Sequence, residues 1–333
     1  MLEKIVVGYA SDRAGRDALA LAAQIAAASG GGVTVVFPYR PALTRETSEQ
    51  AQARVETEVR GQLDAIRASE AIGSPAYRWS PSSWPIRALH ELAAYENADL
   101  MVMGAAREDL GDRLHVGLME RMVHGAPCAV AVAPAGYAES LGTPPQKAAA
   151  PTEAEDVGIE PAGAPNGVRS RLRRIGVGFS RTSEGRAAVT LALELAALVG
   201  AGVNVIAGAG LEPALASYSF SSPALGEVEE EIYAETEQTL TRVCEELGAG
   251  DGVDIEHETV RGDPASVLVE RSAELDLLVL GSRAYGPLRH VLLGSVSARA
   301  MREAKCPVLV VPRGVAGEDG HADEQPAGVA RHA

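Results

Sequence analysis

The chain has 333 residues, 46% hydrophobic but only 4% aromatic, and a formal net charge of −15 at neutral pH. That length suits two domains of ~100–150 residues with cores built from Ala, Val and Leu. The acidic balance excludes a broad electrostatic footprint for DNA or RNA and disfavours an anionic membrane surface, and no stretch reaches the ~20 apolar residues that a bilayer span needs.

The predicted elements, in chain order, come twice. Ile5-Val6-Val7-Gly8 is a short apolar strand, a helix follows from about Arg13 to Ser29, and Gly30-Gly31-Gly32 ends it. Val33–Phe37 is a second strand. A polar helix runs from about Thr47 to Ala71, with Val55, Val59, Leu63 and Ile66 at near-helical spacing. A third strand lies near Tyr77–Trp79, and Pro85 opens the next helix from a favoured first-turn position. The fourth strand ends at Gly104, a short helix is expected at about 117–124, and Cys128–Pro134 closes the unit.

The second pass repeats the order. Ile175–Gly178 is a strand, Ser183–Val199 a helix stopped by Gly200, and Val203–Ile206 a strand. Pro223–Leu247 is a long acidic helix, Val253–Val260 a strand, and Pro264 opens a helix as Pro85 does. Leu277–Leu280 leads into Gly281, Gly294 opens a further helix, and Cys306–Pro312 closes the unit. Strands alternating with helices predict an α/β fold of two doubly wound domains, each with a five-stranded parallel sheet covered by helices on both faces. The domains are expected at 1–134 and 173–313. The span 135–172 is rich in Pro, Ala, Gly and acids without apolar periodicity, so it reads as a flexible linker, and 314–333 as a disordered tail.

Met1 runs straight into a strand pattern, so no signal peptide is expected. Cys128, Cys244 and Cys306 form neither a CxxC pair nor an even framework, and buried free thiols in a reducing cytoplasm follow.

The chemistry concentrates in residues 281–297, GSRAYGPLRHVLLGSVS, directly after an apolar strand. A glycine-bearing loop followed by a second glycine at a helix start can hold a phosphate against free backbone N–H groups and the helix dipole. The plainer reading is a helix start with Ser295 as N-cap. In the phosphate reading Gly281, Ser282, Arg283, Ala284, Gly294, Ser295, Val296 and Ser297 form the cradle. The first-half counterpart, from Gly104 to Gly117-Leu118, carries Arg107 where a phosphate would rest and Leu118 in place of a hydroxyl residue. Asp263 admits two roles, one in the crevice and one in the turn beside Pro264.

The order of these phrases resembles the universal stress protein family, as a tandem two-domain member. The resemblance rests on Gly262-Asp263-Pro264-Ala265, on Asp276 through Arg283, on Leu292-Leu293-Gly294-Ser295-Val296-Ser297 and on Cys306-Pro307-Val308-Leu309-Val310-Val311. It implies the adenine nucleotide α-hydrolase-like fold and domains that pair, here as an intrachain pseudo-dimer, with a homodimer of whole chains as a further arrangement. ATP-binding members of the family carry Gly, two residues, Gly, nine residues, then Gly-Ser or Gly-Thr. Here Gly281 and Gly294-Ser295 match while Ala284 replaces the middle glycine. Such members also tend to have an aspartate at the end of strand one, where this chain has Ala10 and Ser180.

A Walker loop needs a lysine on the phosphates, and lysine occurs only at Lys4, Lys147 and Lys305. The seven histidines are scattered, so no metal ligand is assigned. No carboxylate lies between Gly281 and Ser297 to hold Mg²⁺ or orient water. The reading is a cytoplasmic universal stress protein whose second repeat binds ATP without catalysis, Mg²⁺ being undecided and the protein partner unidentified. Two alternatives stay open: a nucleotide-free scaffold acting through protein contacts, and a slow ATPase of the same fold group.

Overall fold

The computed structural model describes residues 2–38, 47–65, 74–80, 85–105, 123–142, 171–210, 223–248, 252–282 and 294–311, and elements are numbered among these. The first repeat runs β1 (Lys4–Gly8), α1 (Arg13–Ser29), β2 (Gly32–Pro38), α2 (Ser48–Ala65), β3 (Ala76–Ser80), α3 (Pro85–Tyr95), β4 (Leu100–Gly104), β5 (Ala129–Ala133) and α4 (Tyr137–Gly142). The second runs β6 (Arg174–Gly178), α5 (Ser183–Val199), β7 (Gly202–Ala209), α6 (Pro223–Gly248), β8 (Ile255–Arg261), α7 (Pro264–Arg271), a 3₁₀ turn (Ser272–Glu274), β9 (Leu277–Gly281), α8 (Ser295–Glu303) and β10 (Val308–Val311).

Local chemistry sets the first helix of each repeat in the same way. Asp12 caps α1 by accepting from the Gly15 N–H at 3.0 Å, and Thr182 caps α5 from the Gly185 N–H at 3.2 Å. Both helices stop at a glycine in the left-handed region, Gly30 at φ 71° and Gly200 at φ 66°, where a side chain would be strained.

The strand order is β3-β2-β1-β4-β5 in the first repeat and β8-β7-β6-β9-β10 in the second, all parallel within a repeat. This is the doubly wound sheet expected of each half. Parallel strands are covered on both faces, so they read as unbroken apolar runs. Ile5 and Val7 face one core with Leu19, Leu21, Val59 and Leu63, while Val6 faces the other with Leu89, Met101 and Met103. The two sheets meet where β5 and β10 pair antiparallel, Val132 opposite Val308, Ala131 opposite Leu309 and Val130 opposite Val310. One ten-stranded sheet results, and the core under α1 continues into that under α5.

The aspartate before each fourth strand is a backbone staple. Asp99 accepts from the Glu3 and Lys4 N–H groups, each at 2.9 Å. Asp276 does the same for Arg173 and Arg174, at 2.8 and 2.9 Å. The three cysteines are free and buried. Burial pushes the thiols of Cys128 and Cys306 up to about 12 and that of Cys244 to about 11.

The span expected as a flexible linker begins with structure instead. Gly136 and Ala138 donate their N–H groups, each at 2.8 Å, to the carboxylate of Asp17, which is 1% exposed on α1. Leu141 is buried as well, so α4 is held on α1 rather than left in solvent. On the chain's return, Gln24 of α1 accepts from the Arg171 N–H at 2.9 Å, and Leu172 is 1% exposed. The sequence contained no apolar periodicity here because one buried carboxylate and a single helical turn suffice. Residues 143–170, the expected tail, and nearly all of the helix expected at 117–124 lie outside the described residues.

Candidate functional site

Open parallel sheets bind ligands beyond the carboxyl ends of their strands, where the strand order reverses. In the second repeat that point lies between β6 and β9. A cavity of about 720 Å³ opens there, within the ordinary range for small-molecule sites. One part of its wall is apolar: Phe179, Ile206, Ile232, Leu268 and Leu280, with Gly208 and Gly210 packed closely against the Gly262–Pro264 turn at the end of β7. The other is polar: Ser180, Thr182, Glu184, Ser282 and Ser297, with the start of α8 at Gly294.

Of the residues expected to cradle a phosphate, Ser180, Gly281, Ser282, Gly294, Val296 and Ser297 line this cavity. Ser295 is not among the lining residues and its side chain is exposed. Arg283 and Ala284 lie outside the described residues, as do Arg107 and Leu118. The N-cap of α8 is Gly294, not Ser295, and no side chain caps the helix. Its first turn therefore presents backbone donors that no cap residue satisfies.

Two serines behave differently. Ser297 is buried and its hydroxyl donates to the Gly281 carbonyl at 3.3 Å, tying α8 to the end of β9. Ser282 is 4% exposed, its N–H donates to the Val311 carbonyl at 2.9 Å, and its hydroxyl oxygen has no hydrogen-bond partner among the described residues. A buried hydroxyl left unpaired costs about 1–3 kcal/mol.

Gly281 has a structural role besides. A Cβ there would lie 2.6 Å from the Glu184 carbonyl oxygen and 2.9 Å from the Glu184 Cβ, so β9 and α5 approach as closely as they do only with glycine between them. Gly104 meets the carbonyl of Ala14 in the same way. Asp263 resolves to the turn role: it caps α7 by accepting from the Ser266 N–H at 3.0 Å, and it pairs with Arg299 of α8, also at 3.0 Å.

Sequence reasoning missed Glu184. It sits in the first turn of α5, 6% exposed, in the cavity wall. A glutamate in a first turn reads as a partner for the helix dipole; only the fold sets it beside Gly281, about a hundred residues away in sequence. The apolar wall was missed for a similar reason, since Ile206, Ile232 and Leu268 come from three different elements. Among the described residues no group of three or more His, Cys, Asp or Glu side chains is placed to hold a metal ion, and no helix is long and apolar enough to cross a membrane.

A profile of the universal stress protein family matches residues 1–134 and 171–312. The chain belongs to that family, as a tandem two-domain member. A universal stress protein of Methanocaldococcus jannaschii is 36% identical over 95 residues, 27% of this chain and 56% of that protein. One from Mycolicibacterium smegmatis is 30% identical over 155 residues, 45% of this chain and 49% of that protein. The matched stretches thus span about half the length of these two curated relatives. A crystal structure of a universal stress protein from Archaeoglobus fulgidus superposes with a TM-score of 0.56 at 16% identity, covering 95% of this chain and 98% of the other, a likeness of fold.

Proposed function

We propose that this universal stress protein is a cytoplasmic, non-catalytic regulatory module of the stress response that holds an adenine nucleotide, ATP, in its second repeat. The observation that carries the reading is the meeting, at one cavity, of the buried Ser282 hydroxyl, which has no partner among the described residues, with the first turn of α8, whose N-cap Gly294 offers no side chain. Hydrogen bonds to a charged group contribute roughly 1.5–3 kcal/mol each, so a few of them support a micromolar to millimolar site. The apolar wall of Phe179, Ile206, Ile232 and Leu268 suits a flat ring, and the serine-lined end suits a phosphate. Hydrolysis is not part of this reading, because no lysine stands among the described lining residues and only one carboxylate does. Ser180, Gly281, Gly294, Val296 and Ser297 complete the proposed contact set.

The two repeats are read as domains 1–134 and 173–313 that act as an intrachain pseudo-dimer, a view supported by the β5–β10 pairing. Occupancy of the second repeat would then bias a surface shared with the first.

A thermal-shift titration with ATP, ADP and AMP tests the reading. A ligand of the native state raises the midpoint with concentration, and Gly294→Arg, which fills the start of α8, abolishes the rise. An unchanged rise in that variant would remove this loop from the site. A scaffold that binds no nucleotide is the second reading. It is favoured by Gly281, whose lack of a side chain the Glu184 contact already explains; a flat response to every adenylate at millimolar levels would establish it.

A further inference from the structure

Arg181, on the loop after β6, is the one lysine or arginine among the described residues that line the cavity. Its backbone is held in place: Thr182 caps α5 by accepting from the Gly185 N–H at 3.2 Å, and the Ser180 and Thr182 hydroxyls lie 3.0 Å apart. Its side chain is engaged in an ion pair that is easily given up. The guanidinium meets the Glu235 carboxylate of α6 at 2.6 Å, with the two side chains 53% and 61% exposed, and pairs so open to water contribute little to stability. Ile232 and Thr236 of α6 line the same cavity, so this pair stands at its rim. Breaking it would not undock α6, which is also tied through Arg186 to Glu246 at 2.8 Å and through Arg261 to Glu230 at 2.7 Å. The first repeat builds the same junction the other way round. Ser11 precedes the α1 cap as Arg181 precedes the α5 cap, and there the arginine is on the helix, Arg54 of α2 donating to the Ser11 hydroxyl oxygen at 2.9 Å.

We propose that Arg181 is the residue by which the second repeat reads the charge of its ligand: it leaves Glu235 for a phosphate of the bound nucleotide, so that ligand and Glu235 compete for one guanidinium. A guanidinium forks onto phosphate oxygens through two charge-assisted hydrogen bonds, a stronger hold than it has on an exposed carboxylate. It adds a full positive charge to the dipole of α8, which amounts to about half an elementary charge and acts over a single turn. The inference rests on the nucleotide reading and names the side chain that makes affinity depend on phosphate.

Equilibrium dialysis of the full chain with ATP and with uncharged adenosine tests it, the thermal midpoint of each ligand-free variant reporting its fold. Arg181→Ala binds ATP roughly tenfold more weakly, the loss of a hydrogen-bonded charge, and binds adenosine as the unaltered protein does. Glu235→Gln removes the competitor and binds ATP about threefold more tightly. Added to Arg181→Ala, Glu235→Gln changes nothing further, because Glu235 acts on the ligand only through Arg181. A pair that merely braced the loop against α6 would give losses in both single variants, and would lose adenosine along with ATP. Unchanged ATP binding in Arg181→Ala, weaker ATP binding in Glu235→Gln, or a gain from Glu235→Gln that persists without Arg181 overturns the proposal while leaving the nucleotide reading in place. No binding of either ligand by the unaltered protein overturns the nucleotide reading, and this inference falls with it.

Discussion

The two repeats share a skeleton and differ at its crest. Their hydrogen bonds match in pairs: Tyr9 N–H to Val36 carbonyl and Phe179 N–H to Ile206 carbonyl, Ala105 N–H to Ala133 carbonyl and Ser282 N–H to Val311 carbonyl. On that frame Ser282 stands where the first repeat has Ala105, Glu184 where it has Ala14, and Phe179 where it has Tyr9. Tyr9 is 3% exposed and its hydroxyl bonds Glu58, which also engages Ser11 and Arg54. Burial, followed by the Glu58 charge, pushes the Tyr9 hydroxyl up to about 12. Among the described residues, the first repeat thus pairs Tyr9 with Glu58, while the second leaves the Ser282 hydroxyl without a partner and the start of α8 without a side-chain cap. What the repeats share is explained by packing, and what separates them lies at the proposed nucleotide site.

The largest expected effect tests the shared part. Gly104→Ala and Gly281→Ala each push a methyl into the backbone of the helix beneath, at Ala14 and Glu184, and each is expected to cost about 3 kcal/mol in urea unfolding. If only Gly281→Ala were costly, the two crests would not be built alike.

Next come the carboxylate staples. Asp99→Ala and Asp276→Ala each remove an acceptor of two backbone N–H groups and should lower stability by similar amounts, about 2 kcal/mol. Asp17→Ala should cost about as much, with faster amide exchange confined to 136–142. The matching residue of the second repeat is Ala187, so no such staple exists there. Ser282→Ala sharpens the contrast with Ala105: removing a buried hydroxyl that has no hydrogen-bond partner among the described residues lifts a penalty of about 1–3 kcal/mol and should raise the stability of the free protein, yet it shrinks the midpoint rise that ATP produces.

The smallest effect is a slope with pH. Cys128 and Cys306 keep their protons in the fold up to about 12, whereas their ordinary value is 9.0. The folded state binds these protons more tightly, so their contribution is whole below pH 9 and is lost as pH rises towards 12. Unfolding free energy measured at pH 8 and pH 10 should fall, and fall less steeply in Cys128→Ala and Cys306→Ala.

Much of the fold was legible in the sequence. The first helix of each repeat begins and ends at the residues read for it, because Asp12, Thr182, Gly30 and Gly200 act within a few residues of the helix end. The fourth strands were equally plain as apolar runs. Part of the cavity was legible too: Gly281, Ser282, Gly294 and Ser297 stand within seventeen residues of one another and line it together. Residues that act across the chain were less visible. The buried Asp17 looks like any polar residue of a helix until Gly136 and Ala138 arrive on it, and that is why α4 was read as linker.

The repeat pattern, the order of elements and the family belonged to the sequence alone, because periodicity, caps and turn residues are local and the parallel sheet follows from their alternation. The joining of β5 to β10, the staple on Asp17 and the position of Glu184 in the cavity wall were decided only by tertiary structure. Each depends on two surfaces meeting that no spacing along the chain connects, and on whether water is excluded where they meet.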